Sequence, residues 1–205
     1  MGSPPAVLVI ACGALAREIV DVCAANGWPH LDVQCLPPEL HNHPQRIPGA
    51  VLEKIRVNRD RYASILVAYG DCGTGGELDA VLAREGVPRI PGAHCYEFLA
   101  GSDAFEALAE AEPGTFYLTD FLLRHFDRLV ICGLGLDRHP ELAVQYFGNY
   151  RRIVYLAQVE SPQRIEAARA AADRLGLAFE YRRTGYGGLE RSLRTLSVGA
   201  PAWPS

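Results

Sequence analysis

The apolar run Ile65-Leu66-Val67-Ala68 breaks into Tyr69-Gly70-Asp71-Cys72-Gly73-Thr74-Gly75-Gly76, and a helical pattern starts at Glu77. Few local structures satisfy that succession. An apolar run this short, bounded by turn residues, reads as a strand buried on both faces. Glycines let the backbone take positive φ and pass close to a neighbour. The open N–H groups of the helix behind them favour a negative group. A thiol in such a place tends to a lowered pKa, which suits a metal ligand or a nucleophile. No Walker lysine follows the glycines, which weakens the usual nucleotide-phosphate reading.

The same order recurs along the chain. Residues 6–11 form a continuous apolar run ending in Cys12-Gly13, and a helix follows over 15–25. Leu15, Ile19, Val22 and Cys23 share its face, which makes Cys23 a core residue, and Gly27 and Pro29 stop it. Residues 31–36 alternate as a second strand carrying Cys35, ended by Pro37-Pro38. The polar loop 39–44 holds His41 and His43, read either as loop hydrogen-bonders or as a pair of imidazoles on one metal. Pro48 fits the first position of a helix running to about residue 60, with Val51, Leu52 and Ile55 buried. After the central strand and its turn, a helix over 77–85 closes at Gly86. Residues 87–90 then read as another strand, ahead of Ala93-His94-Cys95 and the apolar pair Phe98-Leu99.

Ser102 is placed to cap a helix over 103–111, residues 116–118 extend, and Thr119 or Asp120 caps the helix after them. Residues 129–133 end in Cys132-Gly133 and resemble a strand, although Phe121, Leu122, His125, Phe126, Leu129 and Val130 make one helical face leading in. Cys12, Cys72 and Cys132 stand sixty apart, a spacing we take as chance without wider self-similarity. A helix over 140–147, a strand over 152–158 and a long helix from Pro162 to Leu175, closed by Gly176, follow. Residues 179–181 extend, 185–188 turn, and 189–196 form a last helix before a Pro/Ala/Trp tail.

Strands alternating with helices imply an α/β fold, a doubly wound, mostly parallel sheet with helices on both faces. The 205 residues fit one domain over 1–198 with a tail over 199–205. A formal charge of −4 with 49% hydrophobic residues excludes a strongly basic nucleic-acid binder and offers no charge run for a membrane surface. No positive segment precedes Val7, and no apolar run reaches membrane-spanning length, so the expected location is cytoplasmic. Six cysteines in such a chain are expected as reduced thiols rather than a disulfide framework.

In a parallel sheet of this kind, ligands bind outside the carboxyl ends of the strands. Cys12, Cys72 and Cys95 all belong on that edge. Three thiolates select zinc, copper(I) or an iron–sulfur cluster. They would leave one cluster iron open, or leave the fourth position on zinc to water, His94 or substrate. The bland alternative is three unrelated cysteines beside glycine turns. Asp71, Glu97 and Tyr69 are the candidate acid–base groups, with helix capping as the other role for Asp71. Gly13, Gly73, Gly75 and His94 are the candidate cofactor contacts, and Tyr96 and Tyr117 either line a pocket or pack in the core. Gly185-Tyr186-Gly187-Gly188 offers a second N–H cradle or a simple turn.

Ala11-Cys12-Gly13, the 69–75 stretch, Pro88-Arg89, Ala93-His94-Cys95 and Pro113-Gly114-Thr115-Phe116-Tyr117-Leu118-Thr119 together resemble the domain-of-unknown-function family numbered 1638, found in methanogens and methylotrophs. The resemblance runs from Val7 to about Leu196 and includes Leu40-His41-Asn42. Cys12, Cys72 and Cys95 match its cysteine positions; Cys23, Cys35 and Cys132 do not. Here His94 stands before Cys95 where the family commonly has Asp. The resemblance implies an iron–sulfur protein placed beside corrinoid methyltransferase systems.

Three functions are therefore expected in order. The first is a 4Fe-4S protein on Cys12, Cys72 and Cys95 with an open iron for a small-molecule ligand, working as a lyase or as an accessory to a corrinoid or methyltransferase protein in one-carbon metabolism. The second is a zinc–thiolate methyltransferase on the same cysteines. The third is a non-catalytic binder of a small anion with packed cysteines.

Overall fold

The computed structural model describes residues 6–199, with side chains to Thr195. Parallel strands and helices alternate along it, as the α/β reading requires, and the strands divide into two sheets rather than joining one. Two compact units result: one runs through Phe98 and takes in the last helix from Gly188, and the other is Leu99–Gly187. Of the tail read over 199–205, Gly199 is the last residue of the final helix and 200–205 lie outside the described residues.

In the first unit, β1 (Val7–Cys12), β2 (Leu31–Leu36) and β3 (Ser64–Ala68) pair in the order β2-β1-β3, all parallel. Val7 sits opposite Leu31 on one side and Ser64 on the other. Every residue of β1 and β3 is buried, which is why both read as unbroken apolar runs. Helix α1 (Ala16–Asn26) joins β1 to β2, and α2 (Ile47–Asn58) carries the chain back across β1 to β3. Right-handed crossovers in opposite directions put these helices on opposite faces of the sheet. The reversal leaves a switch point at the carboxyl ends of β1 and β3. Helix α3 (Glu77–Glu85) buries Leu78, Val81 and Leu82 and ends at Gly86 with φ of +66°. The short α4 (Cys95–Ala100) begins at the cysteine itself.

Several sequence expectations shift in this unit. The strand over 87–90 shrinks to one bridge, Val67 with Arg89. Pro88 has no N–H, so that segment offers the ladder only the Pro88 carbonyl and the Ile90 amide, both bonded to Val67. Pro48 stands second in α2, behind Ile47. Cys23 is half-buried rather than a core residue.

In the second unit, α5 (Ser102–Ala111) precedes β4 (Thr115–Thr119), and β5 (Arg152–Ala157) and β6 (Ala178–Arg183) complete a parallel sheet ordered β4-β5-β6. Between them lie α6 (Asp120–Arg124), α7 (Ala143–Phe147) and α8 (Pro162–Leu175); α9 (Gly187–Gly199), which follows β6 in sequence, is from Gly188 onward part of the first unit. Leu118, Ile153, Tyr155 and Ala157 pack on one face with Phe126, Val130 and Ala168. On the other face Tyr117 meets Phe105 of α5, ring centroids 4.9 Å apart.

Gly101, not Ser102, precedes the first turn of α5, with φ of +83°. Thr119 caps α6 as expected, accepting from Leu122 N at 3.2 Å. Residues Asp127–Cys132 are a π-helical turn, not a strand, because Val130 and Ile131 turn onto the helical core already begun by Phe126. Cys132 is exposed. At the carboxyl end of this sheet the buried Asp120 accepts from Tyr155 Oη at 2.6 Å, Val159 N at 3.2 Å and the Arg164 guanidinium.

Candidate metal centre

Three turns and the end of one strand build the site, each leaving the same sheet edge. Cys12 is the last residue of β1. The next residue must be glycine for reasons of space: a Cβ on Gly13 would lie 2.9 Å from Leu36 O and 2.9 Å from Pro38 Cδ. That close approach seats the exit of β2 beside Cys12. Pro37-Pro38 then turns the chain into a 3-10 segment, Pro38–Asn42, which brings His41 back to the thiols.

The turn after β3 runs through positive φ at Cys72 (+49°), Gly73 (+84°), Gly75 (+63°) and Gly76 (+85°). Glycine tolerates that region and cysteine does not, so Cys72 holds its place under strain set by its surroundings. Two hydrogen bonds fix it against the next turn: Asp71 N to Gly92 O at 3.0 Å and Cys72 N to Ala93 O at 2.8 Å. Arg89 braces that second turn, donating to Ile90 O at 2.9 Å and Gly92 O at 3.2 Å, and is itself held by Asp79.

The sulfurs meet. Cys72 Sγ and Cys95 Sγ are 3.4 Å apart, and Cys12 hydrogen-bonds with Cys95. All three residues are buried, at 2%, 5% and 3% exposure for Cys12, Cys72 and Cys95. His41 hydrogen-bonds with Cys12, and its Nε2 lies 3.2 Å from Tyr96 Oη. The Tyr96 ring stacks on His94, with centroids 5.5 Å apart. Tyr69 is buried beneath the cluster, its hydroxyl directed to Cys12 and making no hydrogen bond of ordinary geometry.

Electrostatics divide the three thiols. The hydrogen bond from Cys95 lowers Cys12 to about 5, with His41 adding to the effect against the cost of burial. The same neighbour lowers Cys72 to about 4, helped by His94. Cys95, in contact with both, is pushed well up by Cys12, by Cys72 and by its own burial. The Cys12 thiolate raises His41 in turn. Burial raises Tyr69, and the thiolates raise it further, so its hydroxyl keeps its proton. Cys35, half-buried on β2, is raised by burial.

The remaining candidates have other duties. Asp71 accepts from Thr74 Oγ1 at 2.7 Å, Gly76 N at 2.9 Å and Gly75 N at 3.2 Å, and these bonds lower its pKa. It closes the 71–76 turn and occupies the N–H cradle that the glycines suggested for an outside anion; α3 itself has Gly76 at its N-cap and no side-chain cap, so the helix-capping role expected for Asp71 is not met. Glu97 accepts from Ala93 N at 2.9 Å and closes the Gly92 turn. Gly75 donates to Asp71 within the turn, and Gly73 approaches Pro44, a Cβ there meeting the ring at 3.5 Å. Gly185 N donates to Ala157 O at 3.2 Å, the simple-turn role.

His41 is the contributor that sequence spacing undervalued. Its position after a parallel edge strand, on the same sheet edge as the cysteines, is the signal that marks it. Among the described residues no group of three or more His, Cys, Asp or Glu side chains stands ready to hold a metal ion as placed. The sulfurs pack on one another instead. In donor chemistry the set still fits a thiophilic ion: three buried sulfurs, two of them favouring the thiolate, with an imidazole alongside.

A parallel α/β unit with a buried thiol cluster at its switch point is the class that fold and site define. The chain belongs to the family described as a protein of unknown function, DUF1638, whose model matches residues 35–193. His41, Cys72 and Cys95 fall within that stretch, and Cys12 precedes it. No curated protein and no solved structure matches the chain. Among the described residues no helix is long and apolar enough to cross a membrane.

Proposed function

We propose that this chain is a metal–thiolate protein whose centre is held by Cys12, Cys72 and Cys95, with one position open to a small ligand. The observation that carries this reading is the 3.4 Å contact between Cys72 Sγ and Cys95 Sγ, beside Cys12 in a buried cluster. Sulfurs sharing one zinc ion at about 2.3 Å in a tetrahedron stand about 3.8 Å apart. Sulfurs around a 4Fe-4S cluster must span the cluster and stand farther apart. The spacing therefore favours a single zinc ion. The iron–sulfur reading, which comes from family likeness, requires the two turns to separate against the hydrogen bonds that join them.

When bound, such an ion supplies Lewis acidity to the ligand in its open position, the chemistry a zinc–thiolate methyltransferase uses on an incoming thiol. The chain's own residues do the rest. Three sulfurs bind, burial excludes water, and the Tyr69 hydroxyl faces Cys12 as a donor. A protonated His41 offsets part of the negative charge of the thiolates. A place in one-carbon metabolism beside a corrinoid or methyltransferase protein is the partner reading consistent with the family. The anion-binder reading gains nothing at the 70–76 turn, where Asp71 fills the cradle.

The test is metal and inorganic-sulfide analysis of protein purified without oxygen. Zinc near one per chain with no sulfide supports the single-ion centre; iron with sulfide selects the cluster. Protein free of both overturns the proposal. Cys72→Ser should lose the metal and Cys132→Ser should keep it.

A further inference from the structure

The two sulfurs proposed to share a metal are also placed to bond to each other. Cys72 and Cys95 are 23 positions apart in sequence and 3.4 Å apart at Sγ. Neither backbone is free to carry its sulfur away. Cys72 N is bonded to Ala93 O at 2.8 Å and Asp71 N to Gly92 O at 3.0 Å. A Cβ on Gly70 would come within 2.9 Å of the His94 backbone, so the two turns are in close contact ahead of both cysteines. Cys72 itself is held at a φ of +49° that a residue with a side chain adopts only under constraint. Cys12 reaches the cluster differently, from the end of a strand paired along its length with β2.

We infer that Cys72 and Cys95 form a reversible disulfide in the metal-free protein, and that this bond switches the centre off. The second half of that statement rests on the metal–thiolate reading; the first does not. With hydrogen peroxide as oxidant the chemistry balances. The Cys72 sulfur attacks one peroxide oxygen, the O–O bond breaks, and a sulfenic acid and one water result. The Cys95 sulfur then attacks the Cys72 sulfur, the S–O bond breaks as the S–S bond forms, and the second water leaves with the Cys95 proton. Two thiols give up two electrons and two protons, and one peroxide becomes two waters. A dithiol reductant reverses the bond by thiol–disulfide exchange. Closing it removes two of three sulfur donors and leaves Cys12 alone. A bound ion engages the same sulfur lone pairs and so protects them.

The experiment uses the full chain, reduced and freed of metal by a chelator under argon, then treated with one equivalent of hydrogen peroxide. Intact mass should fall by two hydrogens, peptide mapping should join Cys72 to Cys95, and dithiothreitol should restore both thiols. Cys12→Ser should still form the bond, and Cys95→Ser should accumulate a Cys72 sulfenic acid that a cyclic 1,3-dione traps. A bond made to Cys12 in the native chain overturns the inference. So does conversion of Cys72 to sulfinic acid while Cys95 stays a thiol; neither result depends on how the variants fold. A parallel sample given zinc separates the two readings. Slower crosslinking with zinc supports both. Crosslinking in a protein that takes up no metal upholds the disulfide and removes the metal centre.

Discussion

The main chain of His94 lies where a side chain on Gly70 would have to go: a Cβ built there comes within 2.9 Å of the N, Cα and C of His94. Because backbone rather than a flexible side chain blocks the space, Gly70→Ala must push the Cys72 and Cys95 turns apart. The expected cost is about 1–3 kcal/mol in urea denaturation. Gly49→Ala is the control. It sits inside α2 with nothing within 4 Å of the added carbon, and should stabilise by about 0.5–1 kcal/mol. Equal effects from the two substitutions would refute the steric reading.

Asp71 closes the turn ahead of α3 by accepting from Thr74, Gly75 and Gly76. Asp71→Ala should lower stability by about 1 kcal/mol at neutral pH. The folded-state pKa is depressed, first by Thr74 and then by Gly76. The contribution is therefore complete above the unfolded value, about 3.9, and disappears as pH falls through the folded value. Denaturation curves of the two proteins should converge in acid. A gap that stays constant down to low pH would show that the carboxylate charge is not what holds the turn.

Thiolate absorbance of the metal-free, reduced protein provides a third check. Cys12 is lowered to about 5 and Cys72 to about 4, while Cys95 is pushed well up. Two of the three sulfurs should absorb as thiolates at neutral pH and the third only in strong alkali. His41→Ala removes a hydrogen bond and a positive charge from Cys12, so one of the two acidic steps should move upward. All six cysteines titrating at or above the ordinary thiol value, about 8.5, would contradict the geometry.

In the second unit Asp120 is buried among Tyr155, Val159 and Arg164. Removing its carboxylate leaves a hydroxyl, an amide and a guanidinium without their acceptor. Asp120→Ala should cost about 3 kcal/mol, read by chemical denaturation. A loss no larger than that of an ordinary surface substitution, within about 0.5 kcal/mol, would mean that water replaces those contacts.

Where local pattern and tertiary demand agree, the elements could be read from the chain alone. The Pro162 start, the Gly86 and Gly176 stops and the bounds of β2 and α3 fall where capping chemistry and periodicity place them. Residues 129–133 misled because Leu-Val-Ile has strand character, while Phe126, Val130 and Ile131 were claimed by a helical face packing on β5. The Pro88 segment shrank because one missing N–H outweighs apolar character. At the site, Cys12, Cys72 and Cys95 shared a visible rule: each follows a strand-like run. His41 did not, since its approach depends on Gly13 admitting Leu36 and Pro38, and no spacing within one segment records a contact between two.

Cys12 ends the middle strand of its sheet, and its partners Cys72 and Cys95 come from two turns later in the chain than β3. No short peptide of this chain holds two of the three sulfurs, in contrast to a zinc finger, whose paired cysteines chelate before any tertiary structure exists. The donor set comes into being only when β1 is flanked on both sides. Assembly of the thiol cluster is consequently a property of the finished fold, and a nascent or unfolded chain holds the three sulfurs apart.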